Sequence, residues 1–276
     1  MTDIQVTKRI GTSEPFMEEK IHKVVTWAAE GLQHVSVSQV VMSAKLQIQN
    51  GTATSDIHSA LIKAAVGLIT ERAPDYQILA GRLMAFSIRK RAYGKYEPFT
   101  LKEQVHLMVA DGRYDHTLLE DYTDEDLDRL NQYIKHDRDL SIGWAGMAQL
   151  NDKYLVQDRD TGEIFESPQF IYFLVGATLF SKYPEPMRTE KIIRFYEATS
   201  TGRSSLPTPI MSGVRTSLRQ FSSCVVIEAD DSIRGIGAAA TAVMIYVAQR
   251  AGIGLNFGAI RAKGSKIRDG STVHTG

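Results

Sequence analysis

The chain has 276 residues with 32 basic and 32 acidic side chains, so no net field recruits a polyanion. One cysteine excludes an internal disulfide framework and a Cys-rich zinc site, and suits a reducing cytoplasm. No apolar run approaches the roughly 20 residues of a spanning helix, and Met1-Thr2-Asp3-Ile4 lacks the form of a secretory signal. Neither nucleic acid nor membrane is therefore an expected partner.

In chain order, Ile4 to Arg9 alternates, Gly11 supplies a turn and a short return strand follows, which predicts a hairpin. Helical spacing of Ile21, Val24, Val25 and Ala28 predicts a helix over 18–30, stopped by Gly31. Ser38 is the expected cap of a second helix carrying Val41 and Ala44. Thr54 or Ser55 is the expected cap of a third, with Ile57, Leu61, Ala64, Ala65 and Leu68 inward. Pro74 suits the first turn of a fourth, with Tyr76, Leu79, Leu83 and Phe86 inward. The sum is a four-helix bundle under a hairpin. Lys8, Arg9, Lys20 and the run Arg89-Lys90-Arg91 gather basic charge there. They suit either helix C-termini or a triphosphate.

The middle of the chain reads as helical. Leu101 to Ala110 is amphipathic. Thr123 and the acidic run Asp124-Glu125-Asp126 make a capped helix start, with Leu127 and Leu130 following. A hairpin is expected around Gly162, with strands over 154–157 and 163–165. Phe170 to Phe180 reads as a buried helix, and Ile192 to Ala198 begins another. His136 beside Asp137 and Asp139 has no second ligand cluster, so it reads as a packing or surface group and not a metal site.

Pro207 and Pro209 remove two backbone donors, and the run from Ser205 to Arg215 is expected to be irregular. Phe221, Val225, Val226 and Ile227 predict a buried strand opened by Ser222-Ser223-Cys224. Asp231-Ser232 caps an Ala-rich helix to Gln249, and Ile253 to Phe257 is a second strand, giving one βαβ unit. The glycines of Gly252-Ile253-Gly254 follow a helix and lack the third position, so they are no dinucleotide fingerprint. A lone strand cysteine is most often a small buried hydrophobe.

The runs Leu206 to Arg215 and Gln220 to Glu228 resemble the active-site entry of the large catalytic subunit of class I ribonucleotide reductase. The first third of the chain resembles that family's ATP-cone, through Val6-Thr7-Lys8-Arg9, Lys20-Ile21, Thr54-Ser55-Asp56-Ile57-His58 and Arg89-Lys90-Arg91-Ala92-Tyr93-Gly94. Asp121-Tyr122-Thr123 and Tyr154-Leu155-Val156-Gln157 look like its helical domain. The resemblance implies a mainly α fold with an α/β C-terminal piece. An ATP-cone would span 1–96 and a helical domain 97–203. The opening of a ten-stranded α/β barrel would span 204–276, completed by another chain.

The resemblance also implies roles. Cys224 would be half of a redox-active dithiol, with Thr208, Ser223 and Gly252 holding a ribonucleoside diphosphate. ATP or dATP would meet Lys8, the loop Glu14, Pro15, Phe16, Met17, Glu18, Glu19 and Lys20, and Thr54 and Lys90. Pro15 and Phe16 make that loop less polar than expected. Asp231, Ser232, Ile233, Arg261 and Arg268 would contact a deoxynucleotide specificity effector. The effectors would come with Mg2+, and no prosthetic group or protein-held metal is expected in the chain. Its implied partners are a complementary large-subunit chain, a metal-containing radical-generating small subunit, thioredoxin or glutaredoxin, and a second large subunit in a dimer.

A dithiol supplies two electrons by closing to a disulfide, and a solitary thiol cannot. A barrel also needs about 200 residues or more. The expectation is therefore a split large subunit, of the kind phage genes produce, or a truncated piece, inactive alone. The competing reading is a non-catalytic ATP/dATP-sensing protein. Its repressor form needs a zinc-ribbon DNA reader that one cysteine cannot build.

Overall fold

The computed structural model describes residues 4–9, 11–218, 221–249 and 251–275. Gln220, which carries part of the family resemblance, lies outside them. The chain forms two compact bodies. One comprises Met1–Leu206 with Arg215–Ser217, and the other Pro207–Val214 with Leu218–Gly276.

The first body opens with strands β1 (Gln5–Thr7) and β2 (Ser13–Pro15), antiparallel with Val6 opposite Glu14. Gly11 turns the chain at φ 81°, in the left-handed region where a side chain is disfavoured. Helices α1 (Glu18–Ala29), α2 (Val37–Lys45), α3 (Thr54–Gly67) and α4 (Tyr76–Tyr93) follow. They bury one apolar cluster that includes Val25, Val40, Leu61, Leu79 and Leu83. The expected bundle is present, with shifted caps. Ser36, not Ser38, accepts the Gln39 amide and caps α2. Ala53, not Thr54 or Ser55, is the cap residue of α3, without a side-chain bond. Thr54 already lies inside the first turn. Pro74 precedes α4, whose cap residue is Asp75. Leu68 and Phe86 are only half-buried. Gly94, at φ 69°, ends α4.

Next come α5 (Leu101–Ala110), α6 (Thr117–Asp121), α7 (Asp124–Asn131) and α8 (Trp144–Gln149). Thr100 and Thr123 each form a reciprocal capping box, with Glu103 and Asp126. A 3-10 turn spans His136–Ser141. The expected 154–165 hairpin is present in short form, as an antiparallel bridge between Gln157 and Ile164. It is flanked by bonds from the Asp158 amide to the Glu163 carbonyl and from the Phe165 amide to the Val156 carbonyl, while Tyr154 ends a π-helical turn before it. Helices α9 (Pro168–Phe180) and α10 (Met187–Ser200) pack together, and α10 starts earlier than Ile192. Apolar residues surround most of α9, which suits a helix enclosed by its neighbours. His136 is a packing group, its ring edge-on to Phe170 at 5.1 Å.

The second body contains α11 (Thr208–Gly213), strand β3 (Cys224–Glu228), α12 (Ile233–Ala248) and strand β4 (Gly252–Asn256). The Pro-Thr-Pro run is thus a short helix and not irregular chain. Pro207 is its cap and Pro209 sits in its first turn, where no intrahelical bond needs their missing amides. Strands β3 and β4 are parallel, with Cys224 opposite Gly252 and Glu228 opposite Asn256, so the βαβ unit is present. A short antiparallel pair, β5 (Lys266–Ile267) and β6 (Thr272–Val273), closes the described chain.

The buried strand is not observed. Val225 and Ile227 are half-buried, but Val226 is 81% exposed. Two strands and one helix cannot cover both faces of a parallel pair, which is ordinarily enclosed on both. Helix α12 likewise shows Ile236, Met244, Ile245 and Val247 to solvent. Among the described residues no helix is long and apolar enough to cross a membrane.

Candidate nucleotide pocket and thiol strand

A cavity of about 530 Å³ opens between the hairpin and helices α1, α3 and α4. It gathers seven of the expected effector residues: Lys8, Glu14, Phe16, Met17, Lys20, Thr54 and Lys90. Pro15, Glu18 and Glu19 are not among its lining residues. Glu18 instead meets Lys45 on α2 at 2.5 Å. Arg9, read from the sequence only as part of the basic cluster, and His58 and Phe86, absent from the expected effector contacts, also line the cavity. Their signal was present: Arg9 and His58 stand inside the motifs that carried the resemblance.

Glu14 lies between two cations, 2.8 Å from Lys8 Nζ and 3.0 Å from Lys20 Nζ. Hydrogen bonds from Lys8 and then Lys20 hold its carboxyl below the usual carboxylate range. His58 stacks on Phe86 with centroids 5.3 Å apart and planes 19° from parallel. Its Nε2 lies 2.7 Å from the Leu83 carbonyl oxygen. Burial lowers its pKa, and Arg9 adds to the effect. The imidazole is therefore neutral at pH 7, and its Nε2–H donates to that carbonyl. Lys90 Nζ sits 5.8 Å from the Phe86 ring centre. The cavity thus holds three lysine point charges, Lys8 and Lys20 on Glu14 and Lys90 beside Phe86, together with the flat Phe86–His58 pair. The cations of this set suit phosphate oxygens and its rings suit a base.

The basic run at the end of α4 divides into three roles. Lys90 faces the cavity. Arg89 is 2% exposed and pairs with Asp139, which is 0% exposed, at 3.0 Å. Arg91 donates to Asn151 Oδ1 and to the Gly162 carbonyl.

In the second body, Cys224 is exposed and not a buried hydrophobe. Ser223 Oγ is 3.5 Å from its sulfur. Gly252, opposite it in β4, donates its amide to the Ser223 carbonyl at 2.8 Å. A Cβ at position 252 would lie 3.6 Å from Cys224 Sγ, so glycine leaves the space beside the thiol open. Ser223, Cys224 and Gly252 therefore converge. Thr208 occupies the first turn of α11.

Of the expected specificity residues, four gather at the start of α12. Ser232 accepts the Gly235 amide and caps the helix. Asp231 receives Arg261 Nε at 2.8 Å and the Arg261 amide at 3.2 Å, and this contact lowers its pKa. Ile233 is 87% exposed. Arg268 lies elsewhere, on the β5–β6 turn with φ 50°. Among the described residues no cluster of metal-ligating side chains occurs.

Sequence reading missed one further group. Arg215, Glu166 and Tyr114 form a fully enclosed ionic cluster in the first body.

Three domain families match the chain in order: the ATP cone domain over residues 4–91, the ribonucleotide reductase all-alpha domain over 141–219, and the ribonucleotide reductase barrel domain over 222–276. The chain is 56% identical to the ribonucleoside-diphosphate reductase subunit alpha of Haemophilus influenzae over 273 residues. It is 55% identical to the subunit alpha of ribonucleoside-diphosphate reductase 1 of Escherichia coli. Identity to the subunit alpha of enterobacteria phage T4 is 46%. Each match covers 99% of this chain and 36% of the relative, so the chain spans about a third of the length of those relatives. In sequence and in domain order, the chain corresponds to the N-terminal portion of a class I ribonucleotide reductase large subunit.

Proposed function

We propose that the chain is the effector-sensing and substrate-entry portion of a ribonucleoside-diphosphate reductase, divided as 1–96, 97–203 and 204–276. The observation that carries the reading is the exposed Cys224 thiol with Ser223 Oγ at 3.5 Å and the bare backbone of Gly252 opposite. Loss of a ribose 2′-hydroxyl as water requires two electrons and two protons. Two thiols supply both by closing to a disulfide. Cys224 is the only cysteine of the sequence, so the second sulfur comes from residues outside these 276. Thr208 and Ser223 would hold the diphosphate, and Gly252 would admit the ribose. A metal-containing small subunit would supply the initiating radical. Thioredoxin or glutaredoxin would reopen the disulfide in the cytoplasm, and two large subunits would pair.

The cone cavity would take ATP or dATP with its Mg2+, the triphosphate on Lys8, Lys20 and Lys90 and the base towards Phe86 and His58. Asp231, Ser232, Ile233, Arg261 and Arg268 would meet a deoxynucleotide effector. Arginine's planar fork suits its phosphates.

The test uses the chain joined by the remainder of a large subunit and a small subunit. Cys224→Ser should abolish diphosphate reduction and leave ATP binding intact. Full turnover by the variant would refute the reading. The cone cavity is complete within the first body, which also favours a sensor without catalysis. Calorimetry with ATP and dATP on the chain and on Lys8→Ala and Lys90→Ala separates the two. Binding that depends on both lysines, with no turnover in the complete complex, would select the sensor.

A further inference from the structure

The chain takes an unusual path between its expected substrate threonine and its thiol. Residues Pro207–Val214 belong to the second body, Arg215–Ser217 return to the first, and Leu218 onward belongs to the second again. The return is fastened at Arg215, whose side chain is 0% exposed. Its Nε donates to Glu166 Oε2 at 2.9 Å, and one terminal nitrogen donates to Glu166 Oε1 and to the Tyr154 carbonyl at 2.9 Å. The Arg215 carbonyl accepts the Asp115 amide at 2.9 Å. Glu166, also 0% exposed, further accepts the Tyr114 hydroxyl and the Val156 amide.

Burial opposes the Arg215 charge, and the Glu166 carboxylate and Tyr114 together outweigh it, so its pKa is raised and it stays charged. A buried ion pair of this kind is a poor device for stability, since apolar residues of equal volume often serve as well or better. A bidentate fork on one carboxylate does fix geometry in a way an apolar contact does not.

We propose that Arg215, clamped by Glu166 and Tyr114, is a positioning residue for the substrate loop. It pins the chain just after the helix that carries Thr208 and just before the strand that carries Cys224. This rests on the reading of Thr208 and Cys224 as substrate-handling groups. The clamp itself is testable without it.

Hydrogen exchange on the 276-residue chain reads the clamp directly. In Arg215→Lys and Glu166→Gln, the α11 amides of Met211 and Val214, which bond the Pro207 and Ile210 carbonyls, should exchange about tenfold faster or more. Amides of α3 should not change. A double variant, Arg215→Met with Glu166→Leu, removes both charges together and should still show fast α11 exchange, with slow α3 exchange as the sign that the body stays folded. Unchanged α11 exchange in all three overturns the proposal. In the complete reductase, Arg215→Lys should raise KM for the diphosphate about tenfold or more, with ATP binding at the cone unchanged. Faster exchange with no turnover in the unaltered complex would sink the reductase reading and leave the clamp standing. Faster exchange with unchanged KM would show that the clamp does not position substrate, and would overturn the proposal.

Discussion

The Arg89–Asp139 pair ties the last helix of the cone to the 3-10 turn at His136–Ser141, and its removal has a calculable cost. Asp139 Oδ2 receives Arg89 at 3.0 Å, and Oδ1 receives Gln169 Nε2 at 2.9 Å. Gln169 Oε1 in turn accepts the Tyr196 hydroxyl at 2.6 Å. Asp139→Ala leaves a guanidinium that is 2% exposed without its counter-charge and Gln169 without its acceptor. Breaking one side of a buried pair costs about 3–5 kcal/mol. For a body of this size, about 2–4 °C of Tm is lost per kcal/mol. The expected drop is therefore about 6–20 °C, read by calorimetry or circular dichroism of the full chain. Arg89→Met with Asp139→Leu removes both charges and should recover most of that loss. A single Asp139→Ala variant within about 1 kcal/mol of the parent, or a double variant as unstable as the sum of the singles, would refute the reasoning.

Two further outcomes are expected. Gly81 lies inside α4, where a helix-interior glycine ordinarily gains about 0.5–1 kcal/mol on conversion to alanine. Here the new Cβ would sit 2.1 Å from the Ile142 carbonyl oxygen, so Gly81→Ala should lose about 3 kcal/mol or more in denaturant unfolding; a stabilised variant would contradict the packing. Burial first, and then the Arg89 charge, lowers the His136 pKa to about 4. The unfolded chain takes that proton near pH 6.5 and the folded chain only near 4, so this contribution is full above 6.5 and falls as pH drops through the window. The fall is on the order of 3 kcal/mol, and His136→Phe should flatten it between pH 6.5 and 4; an unaltered slope would refute the assignment.

The helices and their order were legible because apolar spacing states which faces are buried, as at Leu101–Ala110 and Phe170–Phe180. Caps were legible where one hydroxyl stood alone before an amphipathic run, as at Thr123 and Ser232. They were misplaced where two candidates competed, as with Ser36 against Ser38, because the side chain that reaches the third amide depends on backbone angles. The Pro-Thr-Pro run misled for a related reason. Two prolines suggest irregular chain, yet at a helix start their missing amides cost nothing. The candidate pocket was half legible. Lys8, Lys20, Thr54 and Lys90 stood in quoted motifs, but Pro15, Glu18 and Glu19 were carried along as one continuous run and do not line the cavity.

By itself, the amino-acid sequence determined that one thiol is present, that charge is balanced, and that a four-helix bundle, a helical stretch and a βαβ unit follow in that order. These properties live in residue identity and period. Only the tertiary structure decided that Arg89 leaves its basic neighbours for Asp139, that Arg215 is clamped by Glu166, and that Gly81 admits a carbonyl. Each joins residues far apart in the chain, and such pairings are set by how helices pack, a property no local pattern encodes.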